Sequence, residues 1–230
     1  MSRLSPSIRA YAGIVVALAV LLTIIRAFEI DTTTPIVQRS QLTVPVLLVA
    51  ATLGLLGVCL SERTGFPDIW DAGVPITHRL LIPLLLGMAF GLGFRLLGFG
   101  QLLPSPEQPS FPASIPYFLY GAGLSEILLR LFPMPLLVWL ISNLLLGGRA
   151  QESASWGAAG LSSLIEPLSQ VGAMLILGID SLPWIATVFV LVFAANLAQG
   201  RLFRAHGFGA SLVIRLAFYV VWHIIPAMAI

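Results

Sequence analysis

Apolar runs long enough to cross a bilayer recur along the whole chain, and they restrict its fold more than any other feature. The run at residues 11–25, YAGIVVALAVLLTII, contains no charged side chain. About 20 apolar residues cross the hydrocarbon core as a helix. Hydrophobic residues occupy 58% of the 230 positions and charged residues only 10%, against roughly 25% charged in soluble domains. The sequence therefore predicts an integral, multi-pass membrane protein, which we expect in the cell (inner) membrane.

The apolar runs predict an all-α polytopic bundle of about eight transmembrane spans, forming a single membrane domain over residues 1–230. The expected spans lie near residues 11–25, 42–60, 80–97, 115–131, 133–146, 156–177, 184–203 and 210–229. Only FPMP separates the fourth span from the fifth, and two prolines could equally kink one long segment, which would leave seven spans. With eight spans the arginines divide almost evenly between the two sides, so no orientation follows.

Charge and cysteine content exclude several classes of function. The net charge is +2, and the twelve basic residues are scattered arginines, which gives no electrostatic footprint for nucleic acid. The single cysteine, Cys59, excludes an intrachain disulfide and cysteine-rich metal sites, and there is no HExxH motif. No cofactor is indicated, and a metal ion is left open. The segment FPDIWDAGVP, residues 66–75, suits the membrane interface and suits an ordinary loop equally well.

Ionisable side chains occur inside the predicted spans, where each costs about 2.5–3.5 kcal/mol unless it meets a partner or water. Glu126 and Arg130 are spaced i,i+4 and can form an ion pair within one helix. Glu166, followed by Pro167, has no basic neighbour on its own helix. It must find a partner elsewhere, become protonated or contact water.

The last span carries a third polar group, because Arg215, Tyr219 and His223 recur at i, i+4 and i+8 along one helical stripe. We expect Arg130 or Arg215 to contact a carboxylate within the membrane. His223 could donate a hydrogen bond, carry a proton or lie at the interface. Because lipid exposure is costly, we expect spans four, six and eight to surround a polar cavity. Its members would be Glu126, Glu166 and His223.

The same residues resemble the motifs of the CPBP family, the CAAX-protease and bacteriocin-processing (Abi) membrane proteins. The family's EExxxR motif corresponds to SEILLR, residues 125–130, and its FxxxH motif to SSLIE, residues 162–166. Its third motif, a His followed four residues on by Asn, corresponds to HIIPA, residues 223–227. The resemblance covers roughly residues 116–226. The sequence departs from the family at Ser125, Glu166 and Ala227, where the family has Glu, His and Asn.

The resemblance implies an intramembrane endopeptidase, a hydrolase in which a carboxylate activates water for attack on a peptide carbonyl. In this chain Glu166 would activate the water, and Glu126 and His223 would complete the catalytic set. The residues expected to support them are Ser125, Arg130, Arg215 and Tyr219. The expected partners are a peptide or membrane-protein substrate and the lipid bilayer. Because of the three departures, the alternative is a non-catalytic CPBP-fold scaffold or substrate-binding protein, and a proton-coupled transporter is a third possibility.

Overall fold

The computed structural model describes residues 5–28, 42–97, 109–176 and 178–228. Within these ranges 7 helices are long and apolar enough to cross a membrane. In chain order they are α1 (Pro6–Ala27), α2 (Val44–Arg63), α3 (Thr77–Leu96), α4 (Ser114–Leu145), α5 (Gln151–Ile176), α6 (Leu182–His206) and α7 (Phe208–Ala227). The predicted all-α, multi-pass membrane fold is therefore confirmed. Two predicted span ends, at residues 177 and 229, lie outside the described residues.

The predicted fourth and fifth spans are one helical segment of 32 residues, α4. It consists of an α-helix at Ser114–Glu126, a π-helix at Ile127–Leu131, an α-helix at Pro133–Val138 and a π-helix at Trp139–Leu145. The FPMP stretch interrupts the helix without reversing the chain, and the N–H of Phe132 still reaches the carbonyl of Ile127 at 3.1 Å. The estimate of about eight spans is therefore corrected to seven for the part of the chain that is described.

Proline accounts for the position of most of the π-helical turns, a conformation that is rare in proteins. Three of the four described turns, at Thr77–Leu81, Ile127–Leu131 and Val220–Ile224, end two residues before a proline. Proline has no N–H to donate, and its ring clashes with the carbonyl four residues earlier. The preceding turn therefore widens, which changes the direction in which its side chains point.

The polar half of the bundle is built from its last four helices. Helix α7 packs against α3, α4 and α6, whereas α5 packs against α4 and α6. Helices α1 and α2 pack on the outside of α4. Large apolar side chains such as Leu48, Leu85 and Leu168 are exposed on the outer surface, as expected for helices that face lipid.

Close packing of α3 on α7 gives a testable prediction. A methyl group added at Gly87 would meet the backbone carbonyl of Ile214 and the side chain of Ala217 on α7. At Gly93 on the same helix the same methyl would meet nothing within 4 Å. We expect Gly87→Ala to destabilise the protein by about 1–3 kcal/mol because the backbone must move, and Gly93→Ala to be neutral or slightly stabilising. Thermal unfolding in detergent measures both, and equal effects would contradict this packing.

Candidate functional site

The centre of the site is the guanidinium of Arg215 on α7, which pairs with two carboxylates at once. Its Nε donates to Oε1 of Glu126 at 3.0 Å. Its two terminal nitrogens donate to the two carboxylate oxygens of Glu166, each at 2.8 Å. Arginine suits this role because its planar fork presents donors on two edges. Arg215 thereby joins α4, α5 and α7 inside the bundle.

Glu126 receives a second hydrogen bond from the helix that carries Arg215. Ser211, one turn earlier on α7, donates from its hydroxyl to Oε2 of Glu126 at 2.6 Å. Each oxygen of Glu126 thus accepts one strong bond, and the residue is 0% exposed. A carboxylate without water is tolerated when charged and polar partners replace its hydration in this way.

Arg130 and Asn196 complete the cluster. Arg130 on α4 donates to the carbonyls of Leu129 at 2.6 Å and Ser162 at 3.3 Å, and to Oδ1 of Asn196 on α6. The same Oδ1 accepts from Arg215 at 3.2 Å. The amide oxygen of Asn196 therefore lies between two guanidiniums and reduces their repulsion. Two carboxylates and two guanidiniums make the cluster electrically balanced.

Pro133 leaves free the backbone carbonyl that accepts a hydrogen bond from Arg130. In a regular helix the carbonyl of Leu129 would accept from the N–H of residue 133, but Pro133 has none. That carbonyl accepts the guanidinium of Arg130 instead. The kink between the two former candidate spans is thus part of the site.

The ion pair that i,i+4 spacing allows within one helix, between Glu126 and Arg130, is not formed among the described residues. The π-helical turn begins at Ile127, directly after Glu126, and ends at Leu131. In this wider turn, residues four apart no longer stack as they do in an α-helix. Glu126 consequently pairs with α7, while Arg130 points towards α5 and α6. The broader prediction, that Arg130 or Arg215 contacts a membrane-embedded carboxylate, is confirmed through Arg215.

The structure places His223 in a neighbouring aromatic cluster. Its ring stacks on that of Phe118, with centroids 4.0 Å apart and planes at 8°, and lies 4.4 Å from the ring of Trp222. Tyr219 connects the two regions, since its ring lies 5.1 Å from that of His223 and 5.9 Å from the guanidinium carbon of Arg215. Ser125 lies close to the side chain of Tyr219. The expected grouping of Glu126 with Glu166 is therefore present, whereas His223 belongs to the adjoining aromatic layer.

The cluster is closed, except at Glu166. Glu126 and Arg130 are 0% exposed and Arg215 is 2% exposed. The side chain of Glu166 retains 20% exposure. These polar groups therefore fill the space between the helices with one another.

Two members of the cluster were missed as site residues. Asn196 is visible in the sequence only as a mildly polar residue in an apolar span. Ser211 lies four residues before Arg215, so the helical stripe that predicts Tyr219 and His223 could have been extended backwards to include it. Among the described residues, no group of three or more His, Cys, Asp or Glu side chains could hold a metal ion.

Removing the central cation provides a test of the network. Arg215→Gln leaves Glu126 buried and without its ionic partner, and breaking a buried pair in this way costs about 3–5 kcal/mol. We expect a large fall in melting temperature in detergent. Arg149→Gln, a change at an exposed arginine after α4, should shift stability by no more than about 0.5 kcal/mol. Arg215→Lys should not restore the wild-type value, because a point charge cannot bind Glu166 through two nitrogens. Similar melting temperatures for the Arg215 and Arg149 variants would refute the network.

Comparison with known proteins identifies no similar protein. The chain matches no family model, no curated protein and no solved structure.

Proposed function

We propose that this protein is a non-catalytic membrane protein related to the CPBP peptidases, in which the polar cluster is a permanent structural element. The observation that carries the proposal is that one guanidinium, that of Arg215, binds both carboxylates. A general base needs an accessible lone pair within about 3 Å of the attacking water. Glu126 is enclosed, and Glu166 is held by two hydrogen bonds from a cation. Both carboxylates are therefore poorly suited to taking a proton.

The departures from the family motifs agree with this proposal. Ser125 supplies no carboxylate, and its neighbour across the helix interface is the phenol of Tyr219. Ala227 has no donor for an oxyanion, and His223 stacks against Phe118. Water activation and oxyanion stabilisation thus each lack a group that the resemblance would require.

In place of hydrolysis, we infer that the protein acts as a scaffold or binds a transmembrane segment of a partner in the cell (inner) membrane. Helix α5 carries the features that support such binding. Gly157 and Gly160 face open space, and small residues allow transmembrane helices to approach closely. Ser169 is exposed on the same helix, and Glu166 keeps part of its carboxylate uncovered. A partner helix with a hydrogen-bond donor at mid-membrane would satisfy these polar groups.

An intramembrane peptidase is the second candidate, and the partial exposure of Glu166 favours it. In that mechanism Glu166 would take a proton from water while the water oxygen attacks the peptide carbonyl carbon. Arg215 would face the developing oxyanion, and the proton would pass to the leaving amine. This route requires Glu166 to leave at least one of its two bonds to Arg215.

A cleavage assay separates the two candidates. Purified protein in liposomes is incubated with a panel of transmembrane peptides, and the products are identified by mass spectrometry. We expect no fragments above the level seen with liposomes that lack the protein, because Arg215 occupies both oxygens of Glu166. Cleavage by the wild type that disappears in Glu166→Gln, with the melting temperature retained, would establish the peptidase instead.

Restoring the family's missing groups tests the proposed relationship. The double change Ser125→Glu with Glu166→His supplies the carboxylate and imidazole that the motifs lack, and it removes the bidentate pair with Arg215. If the scaffold is that of the peptidases, we expect this variant to cleave peptides that the wild type leaves intact. Each single change should remain inactive, because water activation needs both groups. A well-folded triple variant that also carries Ala227→Asn and still lacks activity would count against the relationship.

A further inference from the structure

One end of the bundle is covered by the loop at residues 64–76, which bonds to several helix ends. Ser7 at the start of α1 donates from its hydroxyl to Asp68 at 2.6 Å and accepts from the N–H of Ile69 at 3.2 Å. The N–H of Gly209 at the start of α7 donates to the carbonyl of Ile69 at 2.9 Å. The first turns of α1 and α7 therefore lie on the same side of the membrane as the loop.

Helices α5 and α6 reach the same loop. At the start of α5, Gln151 donates from Nε2 to the carbonyl of Thr64 at 2.6 Å. In the last turn of α6, Arg204 donates to the carbonyl of Gly65. Helix α2 ends and α3 begins at this loop. We call this side of the protein the loop-covered end.

Arginine is concentrated at the loop-covered end. Six arginines of the described residues belong to helix ends and connections on this side, namely Arg9, Arg63, Arg79, Arg149, Arg201 and Arg204. The opposite end has two, Arg26 near the end of α1 and Arg95 near the end of α3. Arg3 and Arg39 lie outside the described residues; in the sequence one precedes α1 and the other joins α1 to α2, so they leave the difference unchanged. Cytoplasmic loops of membrane proteins carry such an excess of Lys and Arg.

Two exposed tryptophans mark the level of the lipid headgroups at the same end. The guanidinium of Arg79 lies 4.5 Å from the ring centre of Trp70 in the loop. That of Arg201 lies 4.5 Å from the ring centre of Trp156 on α5. The tryptophans are 45% and 46% exposed. Tryptophan is favoured at the boundary between acyl chains and headgroups, so these pairs hold cations at the level of lipid phosphates.

Acidic residues at this end leave the arginine excess in place. They number four in the described residues, namely Glu62, Asp68, Asp71 and Glu152. Two of them already have partners within the chain, since Asp68 binds Ser7 and Asp71 accepts from the N–H of Gly73. Glu152 is near Arg201 at 3.4 Å and Arg204 at 3.8 Å, but its side chain is 61% exposed. The pair with Arg201, whose side chain is 45% exposed, is therefore weak, so a phosphate can compete for this arginine.

We propose that the loop-covered end is a binding surface for anionic phospholipid headgroups of the cytoplasmic leaflet. The arginines bind the phosphates, and Trp70 and Trp156 hold this end of the protein at the boundary between acyl chains and headgroups. Negatively charged lipids of that leaflet attract basic segments next to transmembrane helices. This attraction identifies both the ligand of the surface and the leaflet that the surface contacts. The inference does not depend on whether the protein hydrolyses peptides.

Lipid binding is tested by thermal unfolding of purified protein in micelles that contain phosphatidylcholine, with or without phosphatidylglycerol. We expect phosphatidylglycerol to raise the melting temperature of the wild type, and the double variant Arg149→Gln with Arg201→Gln to lose roughly half of that rise. The matched double variant at the opposite end, Arg26→Gln with Arg95→Gln, should keep all of it. No rise in the wild type, equal losses in the two variants, or the same rise with inorganic phosphate alone would overturn the proposal.

If the double variant fails to fold, native mass spectrometry of the wild type replaces it. We expect more phosphatidylglycerol than phosphatidylcholine to remain bound from an equal mixture. Equal retention of the two lipids would overturn the proposal.

Orientation is tested by cysteine labelling in a Cys59→Ala background. Ala72→Cys places a thiol in the loop, and Ser181→Cys places one in the connection before α6, at the opposite end. In intact cells a membrane-impermeant maleimide should label only the Ser181→Cys protein, and permeabilisation should make the Ala72→Cys protein reactive as well. The reverse pattern would place the loop-covered end outside and refute the cytoplasmic assignment.

Discussion

The pairing of Arg215 with Glu126 and Glu166 is the interaction on which the rest of the bundle depends. A lone guanidinium or carboxylate inside a bilayer is costly, and the cost falls only when opposite charges and hydrogen bonds replace the lost water. Because the members of the cluster come from four helices, that requirement acts as a constraint on α4, α5, α6 and α7 together. Apolar packing could not fix the relative positions of these helices as precisely, because a side chain such as Leu is in a similarly apolar environment against lipid tails and against another helix.

Proline gives these helices the local geometry that the charges need. Pro133 frees the carbonyl of Leu129, which Arg130 then uses as an acceptor. The π-helical turn before Pro133 directs Glu126 and Arg130 towards different helices. In α7 a second such turn precedes Pro226 and carries His223, whose ring joins the aromatic layer beside Phe118. Residues that look like helix breakers in the sequence thus arrange the polar cluster.

The charge balance of the cluster supports the proposal that its carboxylates are structural. A peptidase keeps a carboxylate in contact with water, whereas here the buried cations equal the buried carboxylates in number and bind them or their neighbours. Glu166 is the point at which this enclosure is incomplete. The distribution of arginine at the surface is a separate feature, since it depends on the headgroup region and not on the bilayer centre.

The sequence by itself determined that the chain is an all-α membrane protein and that its intramembrane charges must find partners. Both conclusions follow from transfer free energies, which depend on composition and on segment length. The helical stripe also placed Arg215 on the side of α7 that faces the interior.

Only the tertiary structure decided which partners meet. Four charged groups allow several pairings, and the choice depends on how each helix is rotated about its axis. The π-helical turns change that rotation, so Glu126 and Arg130, which i,i+4 spacing allows to pair within one helix, contact different helices instead. The sequence also left open whether FPMP ends one span or bends it, because a pair of prolines can do either. Packing of α4 against its neighbours selects the bend, which brings the Arg130 end of the helix into contact with α5 and α6.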